Sequence, residues 1–154
     1  MWRRTAVALL LVTSIAWAAA IVAAPLLLTR GGDGETVPRL VPLMVYVVGS
    51  FVCHQRPERS FHVHGSPVPV CARCLGLYAA APIGLAAALG GLGLGLARVS
   101  PRAGLLLAAL PTVATLAVEW AAIAEPGNVA RFAAALPLAA VGAYLIGRGL
   151  LAEC

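Results

Sequence analysis

Cys53, His54, Cys71 and Cys74 carry the clearest chemistry in this sequence. They bound the stretch CHQRPERSFHVHGSPVPVCARC, which holds three of the four cysteines and all three histidines of a 154-residue chain. Three thiolates and one imidazole form a tetrahedral donor set of the kind that structural zinc sites use. Soft thiolates also suit iron and copper, so zinc is the first expectation and these two follow it. Cys71-Ala72-Arg73-Cys74 is in addition a CxxC placed where an apolar segment begins. A helix N-terminus carries partial positive charge, which favours thiolate over thiol, and Arg73 pushes the same way. A second reading is therefore a thiol–disulfide oxidoreductase working with a membrane quinone, with Cys71 and Cys74 as the reactive pair and Cys53 as the shuttle. Adjacent Cys53 and His54 both reach one ion only if the backbone bends sharply between them. Otherwise His62 or His64 replaces His54, since the two alternate along an extended segment.

For these groups to meet, the stretch 53–74 must fold back between neighbouring helices. Pro57, Gly65, Pro67 and Pro69 prevent it from being one continuous helix. PERS, residues 57–60, reads as a turn followed by a short helix start. Glu58 and Arg59 pair with each other or with the charged interface.

What lies on either side is apolar. The chain is 61% hydrophobic and 11% charged, against roughly 45–50% and about 25% in soluble domains. Lipid must cover it. The expectation is an all-α, polytopic transmembrane bundle of four to five spans in a single domain, 1–154, multi-pass in the cell membrane. The spans fall at about 5–29, 38–53, 74–97, 103–124 and 129–152. The first follows Arg3 and Arg4 like a signal peptide, but its apolar run exceeds a typical h-region of about 7–15 residues, so it reads as an uncleaved anchor. Residues 40–53 reach only about 20 Å as a helix, so this segment either spans with help from 37–39 or is re-entrant. The five-span version is preferred, with the cysteine loop on the cytoplasmic side. Gly91 and Gly95 form a GxxxG, read as packing within the chain, with homo-oligomer formation as the alternative.

All the basic residues are arginine, giving a net charge of +5. They sit singly at segment ends, which suits lipid headgroups and not nucleic acid. GxxxxGK[ST], GxGxxG and HExxH are absent, and no serine has a plausible histidine and aspartate setting. ATP hydrolysis, dinucleotide binding and serine catalysis have no support.

One charge lies within a span. Thr112, Thr115 and Glu119 share a helix face by their spacing. A charge at membrane depth costs about 2.5–3.5 kcal/mol and faces protein, so Arg131, across the EPGN turn, is its expected partner, with Asn128 capping the last helix. The pair is either a structural ion pair or the proton or ion relay of a small transporter subunit.

CHQRPERSF and PVCARCLGLY resemble the signature of a family of small prokaryotic integral membrane proteins of unknown function, patterned CHQ-x-PERSF and then P-x-CARC-x-G-x-Y. The likeness covers about residues 50–80. It implies that Cys53, His54, Gln55, Cys71, Arg73 and Cys74 form the family's site, and that Glu119, Asn128 and Arg131 correspond to an acidic residue, an Asn and an Arg further on. Here Glu stands where the family usually has Asp, and Trp120 where Gly usually follows. His62 and His64 lie outside the pattern. No activity comes with the resemblance.

Overall fold

Five helices and one small hairpin make up the computed structural model, which describes residues 2–30, 37–92 and 100–152. The helices are α1 (Trp2–Arg30), α2 (Val37–Val52), α3 (Ala72–Leu89), α4 (Pro101–Trp120) and α5 (Asn128–Ala152). A 3-10 turn at Pro57–Arg59 and two short strands, β1 (His62–Val63) and β2 (Ser66–Pro67), fill the polar insert. Each helix contains one proline beyond its first turn: Pro25, Pro42, Pro82, Pro111 and Pro137. Helices tolerate this within a membrane, where neighbouring helices satisfy the freed carbonyls.

Two segments differ from the expectation at their ends. α3 stops at Leu89 and not at residue 97, because Gly90 and then Gly91, at φ +67°, turn the chain out of the helix. α4 runs from Pro101 to Trp120, two residues earlier at its start and four shorter at its end than 103–124; Ser100 accepts from the Ala103 N–H at 3.3 Å to begin it. The GxxxG reading falls partly outside the described residues, at Gly95.

α1, α3, α4 and α5 are each long and apolar enough to cross a bilayer, whereas the apolar part of α2 covers only Leu40–Val52. Their outer faces carry large bare side chains, among them Leu106, Leu107, Leu110 and Val113 on α4. A water-soluble bundle would not leave such a stripe uncovered. Trp2 and Trp120, 71% and 88% exposed, mark opposite ends of the bundle, as interfacial aromatic residues do.

α3 and α5 lie side by side and run in the same direction, with Gly76 against Phe132 and Ala135, Gly84 against Ala140 and Tyr144, and Ala88 against Gly147. A Cβ on Gly84 would collide with the Ala140 carbonyl and come within 2.8 Å of the Tyr144 nitrogen. The missing side chains let the two backbones touch, which is how helices gain dispersion energy in lipid. The close contact expected from glycine thus lies at Gly76 and Gly84.

α1 runs against α3. Its start is at Ala88 and Gly147 through Val7, its middle meets Tyr78 through Trp17, and Ile21 and Ala24 reach the cluster around Cys71 and Leu75. The end of α1 and the start of α3 therefore face the same way. The chain between them leaves and returns on one side, so α2 does not complete a crossing. Four helices, with α2 not among them, are thus long and apolar enough to cross, in place of the preferred five, and both ends of the described chain lie opposite the cysteine loop.

Candidate metal centre

Two elements deliver three sulfurs. The last turn of α2 continues to Cys53, whose N–H donates to the Gly49 carbonyl at 2.9 Å. Cys71 caps α3 from an extended conformation, and Cys74 lies in the first turn of that helix. Their sulfur atoms all lie within 4.8 Å of one another. Cys53 and Cys71 are buried, Cys74 is partly exposed, and none of the three is in a disulfide. Sulfurs that share one tetrahedral ion at about 2.3 Å lie about 3.8 Å apart, so small side-chain rotations would close the triangle on a metal.

Backbone amides already address these sulfurs. The Cys71 N–H donates to Cys53 Sγ at 3.1 Å, and the Cys74 N–H to Cys71 Sγ at 3.5 Å. Donors of this kind favour thiolate, the form that ligates and attacks. Hydrogen bonding from the Cys74 side chain holds the Cys71 thiol well below its ordinary value; burial opposes this, and the Cys74 amide and the Cys53 side chain assist.

The insert is clamped so that Cys71 arrives beside Cys53. His64 and Gly65, at φ +49° and +79°, form the two central positions of the β1–β2 turn, a geometry that tight hairpins require. The Tyr46 hydroxyl donates to the Pro67 carbonyl at 2.5 Å. Gln55 Nε2 bridges the Tyr46 and Pro69 carbonyls at 2.7 and 2.8 Å. Gly49 leaves room for this, since a Cβ there would stand 2.5 Å from the Pro69 oxygen. Val68 and Val70 then pack with Ile21, Ala24, Val45 and Leu75 around the cysteines.

His54 does not join the sulfurs. It is exposed, and its Nδ1 accepts the Arg56 N–H at 3.1 Å. The helix ends at Val52 and Gln55 turns to φ +49°, so neighbouring Cys53 and His54 point apart. His62 and His64 are exposed on the hairpin, with His64 in its turn, and among the described residues neither belongs to a metal-capable cluster.

A second cluster sits at the same end of the bundle. The Glu119 carboxylate takes Arg59 Nη1 at 2.7 Å and Arg131 Nη2 at 3.3 Å on one oxygen, and Arg73 Nη2 at 3.2 Å on the other. Arg73 also reaches Thr115 Oγ1 at 3.4 Å. It thus points across to α4 and not toward lipid phosphate. Arg59 pairs with Glu119 and not with Glu58, which is exposed. Asn128 does not cap α5 with its side chain. Its Oδ1 accepts from Arg131 at 3.2 Å, while its Nδ2 donates to the Ser60 carbonyl at 3.0 Å and the Glu58 carbonyl at 3.5 Å. Thr112 hydrogen-bonds the Ala134 carbonyl at 2.8 Å and so joins α4 to α5. With three guanidinium groups on its two oxygens, Glu119 acts as a fastener between the loop, α3, α4 and α5.

Sequence reasoning passed over Tyr46, Ser60 and Gly49. Tyr46, Gly49 and Cys53 are spaced three and four apart, so they share one face of α2; that spacing was the available signal. Ser60, fully buried, donates from its hydroxyl to the Arg56 carbonyl at 2.9 Å, and nothing in a lone serine announces this.

Comparison with known proteins agrees with the membrane reading. The family described as "Predicted membrane protein (DUF2085)" matches residues 53–145, more than half of the chain. The uncharacterized protein MJ1492 of Methanocaldococcus jannaschii is 37% identical over 54 residues, covering 35% of each chain. An uncharacterized protein of Methanothermobacter thermautotrophicus is 46% identical over 35 residues, 23% of this chain and 32% of that one. The matches span about one third of the length of these relatives. No solved structure gives a significant match.

Proposed function

The chain belongs to the DUF2085 family of membrane proteins, and on that premise we propose that it holds a metal ion, zinc first and iron or copper next, on Cys53, Cys71 and Cys74 in the cell membrane. The observation that carries this is the approach of three sulfurs to within 4.8 Å of one another. Two of them receive backbone N–H bonds, as ligands kept in the thiolate form do. Three protein ligands leave the fourth position of a tetrahedral ion to water or an external donor, the arrangement of zinc sites that act on a bound molecule. A metal there would also tie α2 to α3.

Elemental analysis of the protein purified in detergent tests the reading. The expected result is about one metal per chain, lost in Cys71→Ser and in Cys53→Ser but kept in His54→Ala. Loss in His54→Ala would make the imidazole the fourth ligand. Metal-free protein in which oxidant links Cys71 to Cys74 would overturn the proposal in favour of thiol–disulfide chemistry.

A further inference from the structure

The opposite end of the bundle carries a basic cavity that the cysteine site does not use. It measures about 420 Å³ and is lined by Arg3, Arg4 and Arg148 together with Leu89, Gly91 and Leu151. That volume falls within the range of small-molecule sites, about 300–1,000 Å³. Arg3 lies with its guanidinium carbon 5.4 Å from the Trp2 ring centroid, and its Nη1 is buried without a hydrogen-bond partner. Among the described residues no carboxylate pairs with any of the three arginines, all the ion pairs being at Glu119. The carbonyl ends of α3 and α5 offset about one of the three charges, and the amide end of α1 adds about half a charge back. Among the described residues, unpaired positive charge remains over a concave surface.

We propose that this cavity binds a phosphate-bearing anion. Guanidinium groups present paired N–H donors that match phosphate oxygens, and an orphaned buried donor such as Arg3 Nη1 is satisfied by such an oxygen. The lining combines arginines with apolar side chains, the same two chemistries that an anionic phospholipid joins, and its acyl chains would follow the bare outer faces of the helices. Basic pockets between transmembrane helices take anionic headgroups in this way. Free phosphate offers the same oxygens without the chains.

Native mass spectrometry of protein released from nanodiscs of phosphatidylglycerol diluted in phosphatidylcholine separates these sources from each other and from no site at all. The wild type is expected to retain phosphatidylglycerol, with retention falling about fivefold in Arg148→Gln and further in the Arg4→Gln, Arg148→Gln pair. A second arm titrates inorganic phosphate into protein in phosphatidylcholine alone and follows the unfolding temperature. Stabilisation of the wild type that Arg148→Gln abolishes assigns the cavity to free phosphate. Equal lipid retention by wild type and variants, with no phosphate effect, overturns the proposal. Arg4 and Arg148 are exposed, so both variants are expected to unfold at the wild-type temperature when no anion is present.

Discussion

The two ends of this bundle treat their arginines in opposite ways. At the cysteine end, Arg59, Arg73 and Arg131 converge on Glu119, and Asn128 joins the same network to the loop. At the far end, Arg3, Arg4 and Arg148 surround a cavity without a carboxylate among the described residues. The difference separates charge used to fasten from charge left to attract. The first end is closed upon itself and holds an insert that would otherwise unravel in the headgroup region. The second leaves its donors for something outside the chain.

Four substitutions would break or sharpen that contrast. Glu119→Gln should have the largest effect, because it strands guanidinium groups whose side chains are largely buried; about 3–5 kcal/mol of stability should be lost, read from unfolding in detergent. A value near zero would mean the cysteine end is not fastened by charge. Gly84→Ala should cost about 1–3 kcal/mol through overpacking, since the new methyl meets the α5 backbone. The same assay should show this loss with the metal content unchanged. Gln55→Ala removes the two hydrogen bonds by which Gln55 ties α2 to Pro69, just after the hairpin, and should cost about 1–2 kcal/mol; faster hydrogen exchange at residues 62–70 would locate the damage. Arg148→Gln should change stability by less than about 0.5 kcal/mol when no anion is present. A large loss there would show that the far end is also a fastener.

Much of the arrangement was legible beforehand. Apolar runs announced the four crossings, and the gathering of cysteines in one polar insert announced the site. Glu119 with Arg131 was readable from a short turn. Arg59 and Arg73 were not, because their approach to Glu119 depends on how the insert folds over α4 and α5, which local sequence does not encode. The exclusion of His54 turns on the backbone at Gln55, whose positive φ is uncommon for a residue with a side chain. The glycines that pack α3 on α5 were hidden by abundance: in segments full of Gly and Ala, Gly76 and Gly84 look no different from Gly91. The incomplete passage of α2 follows from the direction of α1 against α3, a relation between distant segments.

That incomplete passage gives the sulfur triangle unequal footing. Cys71 and Cys74 ride on a helix locked backbone to backbone against its neighbour, while Cys53 ends a wedge inserted from one membrane face alone. Swelling, thinning or crowding of that leaflet would shift one corner and spare the other two. Such a shift would join bilayer mechanics to thiol geometry through a single helix.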